Sequence, residues 1–227
     1  MTDSSPSPDP TLLSLVVLVS GNGSNLQALI DACAEGRLPA QIRAVVSNDP
    51  AAYALHRARQ ALITTEVLCH RDFLGSREDY DAALANRVER YQPGLVLLAG
   101  FMRILTPVFV GRFRGRMLNI HPALLPAFRG LHTHTRALAS GVKEHGASVH
   151  FVTEELDGGP VIAQTRVPVL PGDTEETLAA RVLRQEHILY PRVVSWFAKG
   201  RLRLSEEHSA WFDDLPIPPQ GVSPSVE

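Results

Sequence analysis

Asn119 and His121 are the two residues whose types and spacing most directly suggest chemistry. They lie in Met-Leu-Asn-Ile-His-Pro at residues 117–122, where the proline cannot donate to a sheet ladder and so ends a short apolar strand. Alternate residues of a strand share a face, so we expect both side chains side by side at its carboxyl end. An amide donor beside an imidazole that titrates near neutrality suits stabilising an oxyanion and moving a proton. A capped strand with a satisfied histidine is the alternative interpretation.

A glycine-rich stretch, Ser-Gly-Asn-Gly-Ser-Asn at residues 20–25, follows the first predicted strand and starts the first predicted helix. Glycines let the backbone approach an anion, the helix start presents free N–H groups, and Ser24 and Asn25 can add side-chain donors. The stretch lacks the Lys-Ser/Thr pair of a nucleoside-triphosphate loop and the third glycine of a dinucleotide fingerprint. It therefore predicts a site for a single phosphate monoester, with a plain tight turn as the alternative.

Asp157 begins the sequence Asp-Gly-Gly-Pro, which lies between two predicted strands. Asp-Gly and Gly-Pro both favour turns, so a hairpin is the simplest interpretation. A functional role requires this loop to return to the edge that carries Asn119 and His121. A carboxylate there could orient the imidazole and relay a proton.

Histidines are frequent in the middle of the chain, and His132 and His134 form an H-x-H pair. Catalytic zinc usually takes three His or carboxylate ligands at defined spacing, and no H-E-x-x-H or C-x-x-C motif accompanies the pair. We therefore expect no metal. The basic segment at residues 111–116 predicts a solvated loop before the fifth strand.

The elements that must position these residues alternate between strands and helices. The continuous apolar run at residues 14–19 is typical of a strand buried on both faces of a parallel sheet. Further strands are predicted at residues 42–46, 64–68, 95–99 and 116–120, with helices at residues 24–36 and 53–61 and a third after the capping residue Ser76. This alternation predicts an α/β fold with a doubly wound, mostly parallel sheet.

The pattern changes after His121. Strands at residues 147–153 and 161–169 follow each other closely, so we expect an antiparallel C-terminal part of the sheet. A long helix over residues 174–199 closes the core, and Pro191 should kink or divide it.

Length and composition describe a globular protein of 227 residues, with 44% hydrophobic and 20% charged residues. A formal net charge of -2 argues against bulk nucleic-acid binding. Two cysteines without paired spacing, no long apolar run and no signal sequence predict a cytoplasmic protein away from membranes. Residues 1–11 and 213–227 are predicted to be loose tails around a single domain at residues 12–212.

Six blocks of sequence, in order, resemble the phosphoribosylglycinamide formyltransferases of the folate-dependent formyltransferase family. They are S-G-N-G-S-N-L-Q at residues 20–27, L-A-G-F-M-R-I-L at 98–105, L-N-I-H-P at 118–122, G-L-H-T-H at 130–134, S-V-H-F-V-T-E-E-L-D-G-G-P at 148–160 and Q-E-H at 185–187. The N-x-H-P-x-L-L-P segment is shared by the wider family, whereas the glycine-rich loop together with G-F-M-R-I-L is typical of this branch. The resemblance covers about residues 15–211 and implies a Rossmann-like fold, with phosphate binding in the N-terminal half and folate binding and catalysis in the C-terminal half.

The resemblance implies formyl transfer from 10-formyltetrahydrofolate, a co-substrate, to the amine of glycinamide ribonucleotide in purine synthesis, without a metal. Asn119, His121 and Asp157 would form the catalytic group, with Ser148 and His150 behind it. The ribonucleotide and its phosphate would be bound by Gly23, Ser24, Asn25, Arg77 and Glu186. The folate pocket would be lined by Met102, Arg103, Ile104, Leu105, Val152, Thr153, Glu154, Glu155 and Leu156.

One loop departs from the pattern of many relatives: Ala123 replaces a Ser after His-Pro, and Ala127-Phe128-Arg129 replaces a Lys-Tyr-Pro-like run. We expect this loop to affect affinity or loop mobility and not the class of reaction.

Three alternative functions differ in the sequence features that they require. A formyltetrahydrofolate hydrolase would transfer the formyl group to water and carry an added N-terminal domain, and a methionyl-tRNA formyltransferase would need a basic C-terminal domain. A non-catalytic nucleotide-binding module would not need Asn119, His121 and Asp157 together. The expected partners are small molecules, with neither nucleic acid nor membrane, and the expected state is a monomer or homodimer.

Overall fold

A computed structural model describes residues 12–222 of the chain. The predicted tail at residues 1–11 lies outside the described residues. The elements, in order, are β1 (Leu13–Val19), α1 (Ser24–Ala34), β2 (Ala40–Ser47), α2 (Tyr53–Gln60), β3 (Thr64–Val67), α3 (Arg77–Glu89), β4 (Leu95–Leu98), α4 (Pro107–Arg112), β5 (Met117–His121), α5 (Thr133–Ser140), β6 (Glu144–Phe151), β7 (Val161–Pro168), α6 (Glu175–Ala198), β8 (Leu202–Leu204), β9 (Ala210–Phe212) and β10 (Leu215–Pro216).

Seven strands form the main sheet in the order β3-β2-β1-β4-β5-β6-β7. The strands from β3 to β5 are parallel, whereas β6 pairs antiparallel with β5, and β7 antiparallel with β6. This arrangement confirms the predicted α/β class and the antiparallel C-terminal part of the sheet. The strand order reverses between β1 and β4, which opens a crevice beyond their carboxyl ends, the usual ligand position in such sheets.

The sheet is buried on both faces. Along β1, Leu15, Val17 and Val19 belong to a core shared with α1 and α6, while Val16 and Leu18 belong to a core shared with α3 and α4. Alternate residues of a strand point to opposite faces, so an uninterrupted apolar strand requires such a double cover. The two cores hold the carboxyl ends of the central strands in fixed positions.

Helix α6 begins with a capping box between Thr174 and Thr177 and continues through Pro191 without a break. The prediction that Pro191 divides the helix is therefore wrong, and tertiary packing outweighs the hydrogen bond that the proline removes. The preceding Tyr190 is fully buried, and its hydroxyl lies 3.0 Å from the carbonyl oxygens of both Leu98 and Leu118. Neither α6 nor any other described helix is both long and apolar enough to cross a bilayer.

The basic segment at residues 111–116 is not a solvated loop. Its first part continues α4, Phe113 is fully buried, and the Arg116 guanidinium lies 5.2 Å from the centroid of the Phe113 ring. The guanidinium of Arg116 therefore covers the Phe113 ring, in a cation–π contact.

The C-terminal stretch is ordered as far as residue 222, so the prediction of a loose tail from residue 213 is wrong for this part. Strands β8, β9 and β10 form a small antiparallel sheet, and Val222 bridges to Ala163 on β7. The Pro-rich segment is therefore held by pairing with β9 and β7, which its composition does not indicate. The last five residues, 223–227, lie outside the described part of the chain.

Candidate active site

His121 ends β5 with both ring nitrogens facing polar atoms. Its Nε2 donates to the carbonyl oxygen of Phe128 at 3.0 Å, and its Nδ1 lies 3.5 Å from Oδ2 of Asp157. The Phe128 carbonyl fixes a proton on Nε2, so a proton gained by the ring enters at Nδ1, beside the carboxylate. The imidazole is thus oriented from one side and faces a negative charge on the other.

The loop of Asp157 does return to the edge of β5. Asp157 has a left-handed backbone (φ 48°), and its Oδ2 accepts the N–H of Gly130 at 2.9 Å. A Cβ on Gly159 would lie 1.9 Å from the Phe151 carbonyl oxygen, so the turn closes only with glycine there. Left-handed backbone at a non-glycine residue costs about 1–2 kcal/mol, which the packed loop sustains.

His150 holds the amide of Asn119. The Nδ1 of His150 lies 2.9 Å from its acceptor, the Phe151 carbonyl oxygen, so Nδ1 carries the proton. Its bare Nε2 therefore accepts from Nδ2 of Asn119 at 3.1 Å. Burial lowers the pKa of His150 to about 4, so the ring is neutral at physiological pH. The second N–H of the Asn119 amide remains for a ligand.

Ser148, on β6, supports the loop that follows His121. Its hydroxyl donates to the carbonyl of Ala123 at 2.6 Å and accepts the N–H of Leu125 at 3.0 Å. Gln164 donates to the same hydroxyl at 2.9 Å and to the Leu125 carbonyl at 2.8 Å. Every one of these residues is buried, so the network fixes the path of the loop that follows His121.

A cavity of about 520 Å³ opens over these residues. Of the residues that the family resemblance assigns to catalysis or binding, nine line it: Asn25, Met102, Arg103, Ile104, Asn119, His121, Leu156, Asp157 and Glu186. A cavity of this volume suits small ligands that are largely buried when bound. It joins residues from both ends of the chain.

The glycine-rich stretch forms one end of this region. Gly23 has φ 75° and precedes α1, and a Cβ there would lie 2.5 Å from the Cβ of Ala54 on α2. Close contact with α2 thus requires glycine at this position, and Ser24 and Asn25 begin the helix, where free N–H groups attract anions.

Arg57 is a cation beside this stretch that no sequence motif indicated. It donates to the carbonyl oxygen of Asn22 at 2.9 Å and to the side-chain oxygen of Asn22 at 3.0 Å. Only the fold brings α2 against this loop, so no local pattern indicated the contact.

Asn25 and Glu186 meet in the cavity wall. Nδ2 of Asn25 donates to Oε2 of Glu186 at 2.6 Å, across 161 residues of sequence, and both residues are buried. Burial raises the pKa of Glu186, and the bond from Asn25 opposes that rise. The pair presents a carboxylate and an amide, the groups that recognise hydroxyls of a sugar.

The opposite rim of the cavity is apolar. Met102, Ile104, Leu131 and Leu156 are among the large apolar side chains left exposed, and all four line the cavity. A cluster of exposed apolar groups around a concave site indicates a ligand with an apolar, flat part.

Several predicted folate contacts lie elsewhere. Leu105 is buried in the core shared with α3 and α4 and is absent from the lining of this cavity. Val152, Thr153, Glu154 and Glu155 line a separate cavity of about 660 Å³. Arg77, predicted on the ribonucleotide side, donates instead to the Ile104 carbonyl at 2.9 Å, close to the apolar rim.

The loop at residues 123–129, whose sequence differs from that of many relatives, is held by several contacts. Ala123 is fully buried, and its carbonyl is bound by Ser148 as described. Phe128 has φ 54°, and Arg129 forms an ion pair with Glu155. The pair joins the loop to the segment before Asp157 at an exposed position, where such pairs stabilise little.

His132 and His134 do not form a metal site with their neighbours. His132 precedes α5 as its N-terminal capping residue, and the ring of His134 contacts the ring of His145 at 5.2 Å. Across residues 12–222, no group of three or more His, Cys, Asp or Glu side chains is arranged to hold a metal ion. Both histidines line the cavity, and so do Thr133 and Glu175, two residues that no sequence motif indicated.

Comparisons with known proteins agree on one family. The sequence model of the family described as "Formyl transferase" matches residues 13–194. A curated phosphoribosylglycinamide formyltransferase of Escherichia coli K12 is 56% identical over 211 residues, which is 93% of this chain and 99% of that protein. The Haemophilus influenzae protein of the same name is 46% identical over 209 residues, covering 92% and 98% of the two chains.

Solved structures give the same result. The phosphoribosylglycinamide formyltransferase of Coxiella burnetii, solved in complex with CHES, superimposes with a TM-score of 0.89 at 50% identity and covers 93% of this chain and 99% of that chain. Glycinamide ribonucleotide transformylase 1 of Symbiobacterium toebii gives a TM-score of 0.87 at 43% identity, with coverage of 93% and 99%.

Proposed function

The chain belongs to the formyl transferase family, and from this premise we propose that it transfers the formyl group of 10-formyltetrahydrofolate to the amine of 5'-phosphoribosylglycinamide. The products are formylglycinamide ribonucleotide and tetrahydrofolate, in purine biosynthesis. The observation that carries the proposal is the convergence of Asn119, His121 and Asp157 on one cavity. That cavity has a polar wall at Asn25 and Glu186 and an apolar rim opposite.

Asn119 stabilises the negative oxygen of the reaction. When the amine attacks the formyl carbon, the carbonyl oxygen of the formyl group becomes an oxyanion on a tetrahedral carbon. One N–H of Asn119 is bound by His150, and the other donates to this oxyanion. Losing such a donor typically costs about 3–4 kcal/mol of transition-state stabilisation.

His121 contributes through its charge. Its Nε2–H is bound to the Phe128 carbonyl, so protonation at Nδ1 yields an imidazolium paired with Asp157. That cation lies in the cavity wall, where it favours the oxyanion electrostatically. Asp157 keeps the imidazolium in place and accepts the proton of the attacking amine, directly or through water. When the oxyanion returns to a carbonyl, the bond from the formyl carbon to N10 of the folate breaks, and this proton passes to N10, so that tetrahydrofolate leaves.

The ribonucleotide lies along the polar wall. Its phosphate sits at the start of α1, held by Gly23, Ser24 and Asn25, and Glu186 accepts from the ribose hydroxyls. The folate lies against Met102, Arg103, Ile104 and Leu156. Holding the amine next to the formyl carbon replaces an encounter in solution, an entropic gain that reaches about 7–11 kcal/mol in favourable cases. No step requires a metal.

The proposed partners are the two small-molecule substrates, and nucleic acid is not among them. The protein acts as a monomer or homodimer, with residues 12–222 as one domain. Both cysteines are free thiols, which fits a reducing compartment such as the cytoplasm.

A coupled assay tests the proposal. Purified protein with 10-formyltetrahydrofolate should form tetrahydrofolate rapidly only when the ribonucleotide is added, and formylglycinamide ribonucleotide should appear in equal amount. Formate release that ignores the ribonucleotide would assign a hydrolase instead. Absence of any turnover, with ribonucleotide binding intact, would assign a binding module.

A further inference from the structure

Asp81 is a buried carboxylate that the reaction does not use. It lies in the middle of α3 and is only 1% exposed. Its Oδ2 accepts the N–H of Thr106 at 2.5 Å, and Thr106 is the buried capping residue of α4. A carboxylate on α3 therefore accepts the backbone N–H of the residue that caps α4. In a capping box, a side chain of the same helix accepts this N–H.

Thr106 also ends the segment that forms the apolar rim. Residues 99–106, all within the described part of the chain, form neither helix nor strand. We call residues 102–106 the rim segment. Its shape depends on side-chain contacts, because no ladder of backbone hydrogen bonds defines it.

The rim segment is held at its start by the glycine-rich stretch. The N–H of Met102 donates to the hydroxyl of Ser20 at 2.8 Å, and that hydroxyl donates to Oδ1 of Asn48 at 2.5 Å. The segment is thus tied to the glycine-rich stretch at one end and to α3 at the other.

Helix α3 makes two more contacts to the rim segment. Arg77 donates to the Ile104 carbonyl at 2.9 Å, and the Arg103 guanidinium lies 4.3 Å from the centroid of the buried Tyr80 ring. Of the three α3 contacts, only the bond from Thr106 to Asp81 is buried on both sides. Loss of this acceptor leaves a buried N–H without a partner, which is costly.

We propose that Asp81 is a positioning residue for the folate side of the reaction. By fixing Thr106, it sets where Met102 and Ile104 project into the cavity, and so sets the affinity for the folate co-substrate without touching it. The inference rests on the proposed function, because the rim is assigned to folate there. Within residues 12–222, the hydrogen bonds and ion pairs of Asn25 and Glu186 do not involve α3, so the KM for the ribonucleotide should change far less than the KM for folate.

The test compares Asp81→Ala with Asp81→Asn. In Asp81→Ala, the KM for 10-formyltetrahydrofolate should rise about tenfold, while the KM for the ribonucleotide stays within about twofold. Asp81→Asn keeps an oxygen that can accept from Thr106, so it should restore most of the folate affinity. Calorimetric titration with tetrahydrofolate should show the same order of affinities without any turnover.

Asp79→Ala is the matched control. Asp79 lies on the same helix and accepts the N–H of Ser76 at 3.0 Å, in the capping box of α3, without contacting the rim segment. It should lower the unfolding temperature and leave both KM values unchanged. If Asp81→Ala folds poorly, Asp81→Leu replaces it, because leucine has a similar branched shape and no acceptor for the Thr106 N–H. Its folate KM should rise as expected for Asp81→Ala, and an unchanged folate KM would overturn the inference.

The outcomes separate the two proposals. Wild-type protein that binds no tetrahydrofolate overturns the proposed function and this inference together. If the wild-type protein has full transferase activity and neither Asp81 variant has a changed KM for folate, this inference alone is overturned. A parallel rise of both KM values in Asp81→Ala, not reversed in Asp81→Asn, would mean that Asp81 only stabilises the fold.

Discussion

At the residue scale, the site consists of groups whose protonation and orientation are set by their neighbours. Phe128 and Asp157 face the two nitrogens of His121, and Asn119 is oriented by a histidine that burial keeps neutral. In the proposed reaction, each group is therefore oriented for one role before substrate binds, as electrostatic preorganisation requires.

His121 and Asp157 should act as one unit. His121→Asn and Asp157→Asn should each lower kcat by at least about a hundredfold, with KM values within about tenfold, because their interactions form mainly in the transition state. The double variant should be little worse than the worse single variant. Steady-state kinetics of all four proteins measure this. Fully additive losses would show that the pair does not cooperate.

Asn25 should serve the ribonucleotide alone. Asn25→Ala removes an amide at the start of α1 and leaves Glu186 buried without its partner, so the KM for the ribonucleotide should rise at least about tenfold. The KM for folate should stay within about twofold. Asn86→Ala, a surface change on α3, is the control and should alter neither value. Equal rises for both substrates in Asn25→Ala would remove Asn25 from the phosphate site.

Local patterns predict only part of this site. The spacing of Asn119 and His121 places them together, because a strand repeats every two residues. Asp157 looks like a turn residue in isolation, and family resemblance was needed to connect it with His121. The bonds from Asn25 to Glu186 and from Arg57 to Asn22 join distant segments, so no local sequence pattern contains them.

At the scale of elements, β6 acts as a support for the loop between β5 and α5. Ser148 is its central contact, joined to Ala123, Leu125 and Gln164. The loop carries the Phe128 carbonyl that orients His121, so a disturbance of this support should reach the catalytic group.

Ser148→Ala should lower the free energy of unfolding by about 1–3 kcal/mol, because it leaves buried polar groups of the loop unsatisfied. It should also reduce kcat more than either KM, since His121 loses its orientation. Chemical denaturation and kinetics measure the two effects. Ser140→Ala is the control: its hydroxyl donates to the Ala137 carbonyl within α5, so activity should not change. Unaltered kcat in Ser148→Ala would limit Ser148 to stability.

The elements themselves were predicted where apolar periodicity is strong. The strands of the parallel sheet and helices α1 to α3 lie within a few residues of their expected bounds. Helices α4 and α5 were missed because they are short, with six and eight residues. The Thr-Pro pair at the start of α4 was an available signal, since Pro favours the first helical position. Strands β8 to β10 have two or three residues each, too few to show a period.

At the scale of the whole molecule, buried histidines make stability depend on pH. Burial lowers the pKa of His145 to about 4, and His145 is fully buried against the rings of Phe128 and His134. The unfolded chain protonates this group near pH 6.5, whereas the folded chain does so only near its lower pKa. Above pH 6.5 both states are neutral, and His145 has no effect. As pH falls below that value, protonation favours the unfolded state.

His145→Phe should therefore flatten the loss of stability between about pH 6.5 and pH 4. Each such histidine destabilises the fold by about 1.4 kcal/mol per pH unit in this window. The variant lacks one of these contributions and keeps that of His150. Denaturant titrations at pH 8, 6 and 4.5 measure the difference. An unchanged slope would show that His145 does not titrate in this range.

The bond between Asn25 and Glu186 also has a consequence for folding during synthesis on the ribosome. A nascent chain leaves the ribosome from its N-terminus, so the glycine-rich stretch emerges early, and its partner on α6 emerges only after most of the domain. A translation product that stops before residue 186 has the glycine-rich stretch without the Glu186 carboxylate that completes the polar wall of the cavity. Ligand-dependent protection from proteolysis should thus be confined to nearly full-length chains, which leaves the growing polypeptide to reach the folded state without help from its substrate.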